Sequence, residues 1–600
     1  MRKFLFALLC AISPFLPAQI SFFSVPADLQ MFPRVEAVNS GSFLVSGQCN
    51  TENVVAVRSV LRENGADTVI ELYEQRLGSE RRFDIIHHVP ARLSEFSLYI
   101  YEVDTKDEAL LVKKVQDLVA GDFFVIAGQS NAEAPGNYDA YSLQFDSLYS
   151  LPSCRAIGAS FAWATAKKTG TAFANLSIEE DCIMGRPSCH YAEYGKRGFV
   201  NTWGLKLQYQ LALSSGIPNC FVNAAQGGRN IIECSPSQTP SDPQKLRHSS
   251  QGSEPALPYD RTYRKLHLNN ALSGVKAVFW NQGESDAALD ADTAARYGAK
   301  FASLYKAWET DFPALKKVFV MQVSIGCGGA HLRSIAEIQR NLPKHHSKVV
   351  LMSTVGFSYQ ERTFDHCHFT YKGYEALAEK LYPLCFSHLY GSEDPAPRTL
   401  APDVKRIYYA NLSMINVEFD QDVFVQQQTL YPEPVNKIAF MRDNFFMQNG
   451  IQLQLDSVSF SGNTVHLFTK ISQSPAKVLT YLPANYPPFA SIFAGPWIVN
   501  ARNDSIGALC FSEFPVEKFS AFQSEEDFLI SPNPADKEIS VFFSETTSCN
   551  LVVLDTFGKE WVHTSVTDKD KIQIDLSVLP FGLYWISIPE RGLSKKFLKL

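Results

Sequence analysis

The feature that most constrains this chain is a series of short, nearly unbroken apolar runs. Residues 123–127 read Phe-Phe-Val-Ile-Ala, and similar runs recur at 220–225, 275–280, 318–323 and 349–355. A strand with one wet face alternates polar and apolar residues, whereas a strand buried on both faces reads as a continuous apolar run. Segments with helical periodicity, at 203–212, 292–308, 335–342 and 374–384, fall between the runs. Buried strands separated by helices predict a parallel sheet in a three-layer α/β domain.

At 600 residues the chain is too long for one core, and about 150 residues per domain predicts three to five units. With 46% hydrophobic and 20% charged residues it can bury real cores, which excludes wholesale disorder. Residues 24–118 alternate in short strand-like runs and read as a β-sandwich. Beyond the α/β region, Asp394-Pro395-Ala396-Pro397 reads as a linker, 404–516 again reads as all-β, and 530–600 carries short strands at 539–543, 551–554, 572–576 and 584–588. The expected division is a leader at 1–18, β-sandwich at 19–118, α/β domain at 119–392, β-sandwich at 393–522 and a terminal β-domain at 523–600.

The formal charge, 55 − 62 = −7, comes without any Lys/Arg run, so no nucleic-acid partner is expected. Arg2 and Lys3, the apolar run 4–16 and the small-residue step Pro17-Ala18 before Gln19 read as a secretory signal. No other stretch is long and apolar enough for a transmembrane helix. Of 12 cysteines, eleven remain after the leader, and Cys182 and Cys189 are placed to staple a polar insert. No Cys-x-x-Cys pair occurs, which argues against a structural zinc ribbon.

Polar clusters follow the apolar strands, at the strand ends where open α/β sheets bind ligands. Gly128-Gln129-Ser130-Asn131 follows the first. A serine on a strand-to-helix turn can present its hydroxyl to a crevice, with backbone N–H groups facing a developing oxyanion; an ordinary turn with a capping serine is the plainer reading. Gln226-Gly227-Gly228-Arg229 follows the second; paired glycines let the backbone approach a ligand, and Arg229 either adds charge or serves as a surface ion-pair partner. Asn281-Gln282-Gly283-Glu284-Ser285 follows the third, with amides suited to an oxyanion and Glu284 suited either to holding a neighbouring loop or to capping a helix. Asp365-His366-Cys367-His368 closes the set. A carboxylate three residues before a histidine can accept from its Nδ1–H and leave Nε2 as a general base. Metal binding competes for these residue types, but adjacent residues of one loop rarely converge on one ion. Cys367 reads as structural, with Cys327 as its partner.

Together, in this order, the four clusters resemble the SGNH hydrolases, and within them the sialate O-acetylesterase-type carbohydrate esterases, over about 121–390. Trp203, ahead of the helix leading to the glycine pair, also fits. Asn281 and Asp286 depart from the family's habit of an aromatic before the Gln and Asn after the Ser. The resemblance implies a flavodoxin-like SGNH fold and a cofactor-free serine esterase acting on an O-acetylated glycan. In it Ser130 attacks, His368 is the base and Asp365 orients it. Ser130, Gly227, Gly228 and Gln282 form the oxyanion hole, with Gln129, Asn131, Arg229 and Glu284 in support. A Gly-x-Ser-x-Gly α/β-hydrolase fails because Ala132 stands at the last position. A glycan-binding or adhesin protein on a retired hydrolase scaffold, and an esterase for acetylxylan or longer acyl chains, remain as alternatives.

The last unit is similar to C-terminal sorting domains of type IX secretion substrates. Ser531-Pro532-Asn533-Pro534, Leu554-Asp555-Thr556-Phe557-Gly558, Gly582-Leu583-Tyr584 and the ending Lys596-Phe597-Leu598-Lys599-Leu600 carry that likeness. It implies a bacterial protein, exported through the periplasm to the outside or the cell surface, with the secretion machinery as partner.

Overall fold

The computed structural model describes residues 20–600 apart from 67, 135–139, 159–181, 190–196, 237–256, 324, 326, 328, 359–360, 362–366, 392–398, 412, 471–475, 485–492, 502–505 and 518–527. The expected leader, the Asp394–Pro397 linker, the 392/393 and 522/523 boundaries, Asp365 and His366 lie outside the described residues.

Two antiparallel sheets open the chain. One joins Ile20–Ser24, Ser40–Cys49 and Arg82–Pro90; the other joins Val54–Glu63, Val69–Arg76, Phe96–Asp104 and the start of Ala109–Gly128. Arg82–Pro90 alternates buried and exposed residues along its length, as a strand with one wet face must. Val45 and Ile85 from the first sheet and Val57 and Leu98 from the second share one core.

Ala109–Gly128 is a single 20-residue strand that changes partners midway. Its first half is largely exposed and pairs antiparallel with Phe96–Asp104. Its second half is wholly buried and lies between Asn219–Asn223 and Val275–Asn281, parallel to both. The expected 118/119 boundary falls inside this continuous strand. Lys317–Met321 and Val349–Met352 extend the parallel run. The sheet is mixed rather than wholly parallel, because Met184–Ser188 pairs antiparallel with Arg155–Ile157 at the other edge.

The unbroken apolar runs are explained by two cores, one on each face. Phe123, Val125 and Ala127 point to one and Phe124 and Ile126 to the other. Trp203, Leu207 and Leu211 of helix Thr202–Ser215 pack on the second face with Tyr374, Leu377 and Leu381 of helix Tyr371–Leu389. The first face takes Phe301, Leu304 and Trp308 of Tyr297–Asp311 and Ile335 of Leu332–Asn341. The single helix expected over 292–308 is broken at Arg296, which caps both Ala291–Ala295 and Tyr297–Asp311.

The first-face core does not stop at the helices. It runs on without interruption into Ile407, Val417, Leu467, Tyr481 and Phe511 of the next, antiparallel region. There Gln322 and Cys510 exchange two hydrogen bonds, each 2.8 Å. The terminal region is a five-stranded antiparallel sheet with its own core. The short strands expected at 539–543 and 551–554 are one long strand, Glu538–Asp555; that expected at 572–576 is the end of the longer Glu560–Asp575, and that at 584–588 is Gly582–Ile588. No helix among the described residues is long and apolar enough to cross a membrane.

Candidate active site

Ser130 begins the one-turn helix Ser130–Glu133 directly after the long strand. The turn requires Gly128: its φ is +135°, and a Cβ there would sit 2.0 Å from the Asn281 carbonyl oxygen. The hydroxyl therefore emerges at the carboxyl end of the sheet. His368 approaches from the loop before Tyr371–Leu389, whose N-cap Thr370 accepts from Gly373 N. Ser130 Oγ lies 2.7 Å from His368 Nε2, within hydrogen-bond range, and both residues are half-buried and so open to solvent.

Asn131 ties the two sides together. It is 1% exposed and donates from Nδ2 to the Cys367 carbonyl oxygen (3.0 Å) and to Glu284 Oε1 (3.3 Å). Its Oδ1 accepts from the Tyr374 hydroxyl and its carbonyl oxygen from Trp203 Nε1. A disulfide joins Cys367 to Cys327 and anchors the same loop from the far side. Cys182 and Cys189, expected to staple their insert, are not bonded to one another; both are buried beside the sheet edge, so each is set by packing.

The glycine loop is held at alternate residues. Gly227 N–H donates to Glu133 Oε2 (2.8 Å), Gln282 Nε2 donates to the Arg229 carbonyl oxygen (3.2 Å), and Ile231 N–H donates to Asp286 Oδ2 (2.9 Å). Gln282 is fully buried, and its Nε2 also donates to Gln129 Oε1 and Asp286 Oδ2. Its amide nitrogen thus ties the glycine loop to the turn that carries Ser130. Gln129 Oε1 accepts from Ser285 N–H as well, binding the Ser130 turn to the third cluster. Gly228, with φ +73°, faces open space, and among the described residues its N–H has no acceptor. Arg229 pairs with Glu233, four residues on.

Asp286 replaces an expected amide, and burial raises its carboxyl pKa, opposed by hydrogen bonds from Gln282 and Ile231 N–H. Glu133 and Tyr374 escaped the sequence reading. The signal for Glu133 was a lone carboxylate three residues past Ser130, and nothing marks Tyr374 beyond helical spacing. Among the described residues no group of three His, Cys, Asp or Glu side chains could hold a metal.

A serine–histidine–carboxylate array also stands in the first region. Ser59 Oγ is 2.7 Å from His87 Nε2, and His87 Nδ1 is 3.0 Å from Glu71 Oε2. Ser59 and His87 are fully buried, so no substrate reaches them, and the array bridges two sheets instead.

Residues 120–386 match the family model described as carbohydrate esterase, sialic acid-specific acetylesterase, and 529–599 match the secretion system C-terminal sorting domain. No curated protein matches the sequence. Among solved structures, a carbohydrate acetylesterase from Xanthomonas citri is 15% identical, with 81% of this chain and 97% of that chain covered and a TM-score of 0.50. That likeness shows a shared fold. A protein from Arabidopsis thaliana (20% identical, 44% and 98% covered, TM-score 0.31) and a family two carbohydrate esterase from Cellvibrio japonicus (12%, 63% and 97%, TM-score 0.25) are also similar. The chain therefore carries a carbohydrate-esterase domain of the sialic acid-specific acetylesterase family, making it a carboxylic ester hydrolase, followed by a sorting domain that directs bacterial proteins to secretion or the cell surface.

Proposed function

We propose that this chain is a secreted serine esterase that removes O-acetyl groups from carbohydrates, sialates foremost. The 2.7 Å approach of Ser130 Oγ to His368 Nε2 carries the reading. Ser130 Oγ attacks the acetyl carbonyl carbon as its proton passes to His368 Nε2. Negative charge gathers on the carbonyl oxygen, which the N–H groups of Ser130 and Gly228 receive. The bond to the sugar oxygen then breaks, and His368 returns the proton to the departing alkoxide. Water, activated by the same imidazole, releases acetate from Ser130. Asp365 has the role of fixing the imidazole tautomer, as the family resemblance implies. Gln129, Asn131, Gln282 and Glu284 hold the loops that carry these groups.

In the same reading, the parallel strands Asn219–Asn223, Ala109–Gly128, Val275–Asn281, Lys317–Met321 and Val349–Met352, in that order across the sheet, form the core of a flavodoxin-like SGNH sheet. The units meet near 118, 392 and 522, the one at 392 across a shared core, with β-sandwiches on either side of the catalytic unit, and the last unit engages the secretion machinery.

The test is acetate release from O-acetylated sialoglycan, acetylxylan and p-nitrophenyl acetate, with an octanoate ester as the chain-length control. Wild type is expected to act on acetyl esters and most on the sialoglycan, while Ser130→Ala loses turnover and Ser59→Ala keeps it. Equal rates for wild type and Ser130→Ala would sink the proposal.

A further inference from the structure

We propose that Glu133 is a positioning residue for the oxyanion site: its carboxylate holds the glycine loop against the nucleophile by accepting the Gly227 N–H. This rests on the reading of Ser130 as the nucleophile.

Glu133 closes the one-turn helix that Ser130 opens, so nucleophile and carboxylate move as one rigid piece. The carboxylate is 7% exposed and reaches across to Gly227 N at 2.8 Å. A charged acceptor on a backbone N–H makes a stronger hydrogen bond than a neutral one. The contact falls where spacing matters most, since a Cβ on Gly227 would lie 3.7 Å from Ser130 Cβ and 3.4 Å from Glu133 Oε2.

The loop beyond is held again at Arg229 by Gln282 and at Ile231 by Asp286. Gly228 lies between the first two of these attachments, with its N–H uncommitted and open space where a side chain would be. The Gly227 N–H is spent on holding the loop, and the Gly228 N–H is thereby presented for the carbonyl oxygen. A donor displaced by about 1 Å from its working position can cost about 10²-fold in rate, so the attachment at Gly227 acts on kcat rather than on binding.

The experiment compares wild type, Ser130→Ala, Glu133→Ala and Glu133→Gln, by steady-state hydrolysis of p-nitrophenyl acetate and by amide hydrogen exchange of the peptide spanning 226–231. Glu133→Ala is expected to lower kcat by roughly 10–100-fold with KM within about twofold, and to speed exchange in that peptide. Glu133→Gln keeps an oxygen acceptor and is expected to recover most of kcat and of the protection. A general folding role would instead give low soluble yield and lowered thermal midpoints in both variants without a kcat-specific loss. Undiminished kcat or unchanged exchange in Glu133→Ala, beside a wild type that Ser130→Ala silences, overturns this proposal alone. A wild type without turnover overturns it together with the reading of Ser130.

Discussion

Asn131 donates its side-chain amide to the carbonyl oxygen of Cys367 at 3.0 Å, so the residue after Ser130 grips the residue before His368. The contact spans 236 residues of sequence and ties the loop of His368 to the turn of Ser130, whose approach the proposed proton transfer requires. Because Asn131 is buried and also holds Glu284 and Tyr374, its orientation has little freedom.

Removing that grip is expected to act on chemistry more than on binding. Asn131→Ala removes an acceptor of the buried Tyr374 hydroxyl and the amide donor to the Cys367 carbonyl, at a cost of about 1–3 kcal/mol in stability. Loosening the Ser130–His368 pair is expected to lower kcat on p-nitrophenyl acetate by on the order of 10–100-fold. A variant with wild-type kcat would show that the loop holds itself.

The Cys327–Cys367 disulfide closes a 40-residue loop and ends one residue before His368. Replacing both cysteines by alanine is expected to cost about 2–4 kcal/mol through the gain in freedom of the unfolded chain, and to lower kcat because the loop loses one of its two anchors. Denaturant unfolding and steady-state kinetics, with and without reductant, read the two effects separately. Reductant should reproduce the variant in wild type and leave the variant unchanged.

The 404–516 region is expected to be inseparable from the catalytic body. Gln322 and Cys510 exchange paired hydrogen bonds, and Ser353 Oγ donates to the Ala508 carbonyl oxygen. Gly507 packs so closely that a Cβ would lie 2.4 Å from Val355 Cγ2. A chain ending near residue 391 would expose the apolar face of that shared core and is expected to be insoluble or inactive. Gln322→Leu, leaving the Cys510 N–H and carbonyl unpaired, should cost about 1–3 kcal/mol. A soluble, active truncated chain with an unchanged thermal midpoint would refute this.

Acid should destabilise the fold through His388. Burial, aided by the charge of Lys317, lowers its pKa from 6.5 to about 4, and its Nε2 meets no hydrogen-bond partner among the described residues. The folded state therefore binds this proton less readily than the unfolded chain. The resulting stability is present above pH 6.5 and drains away as pH falls from 6.5 toward 4. Denaturation midpoints of wild type and His388→Gln at pH 7 and pH 4.5 check this, with a smaller drop expected for the variant; equal drops would assign the acid sensitivity elsewhere.

The sequence by itself determined the strands, because burial on both faces writes a continuous apolar run into any stretch such as 123–127. It also determined the order of the polar clusters and the terminal sorting unit, since each is a short local pattern. The partner change within Ala109–Gly128 was not legible, because pairing is settled by neighbours rather than by the strand's own residues. The same holds for the core shared with 401–511, whose apolar residues would read identically beneath a separate domain. Only the tertiary structure brought Ser130 to His368 across 238 residues, turned the Gln282 amide into the glycine loop, and set Glu133 against Gly227. Side-chain direction at a loop depends on register and packing far along the chain, and those non-local distances leave no local trace. The same fact separates the two serine–histidine arrays. They match in distance, but only burial in the folded chain closes Ser59 and leaves Ser130 open.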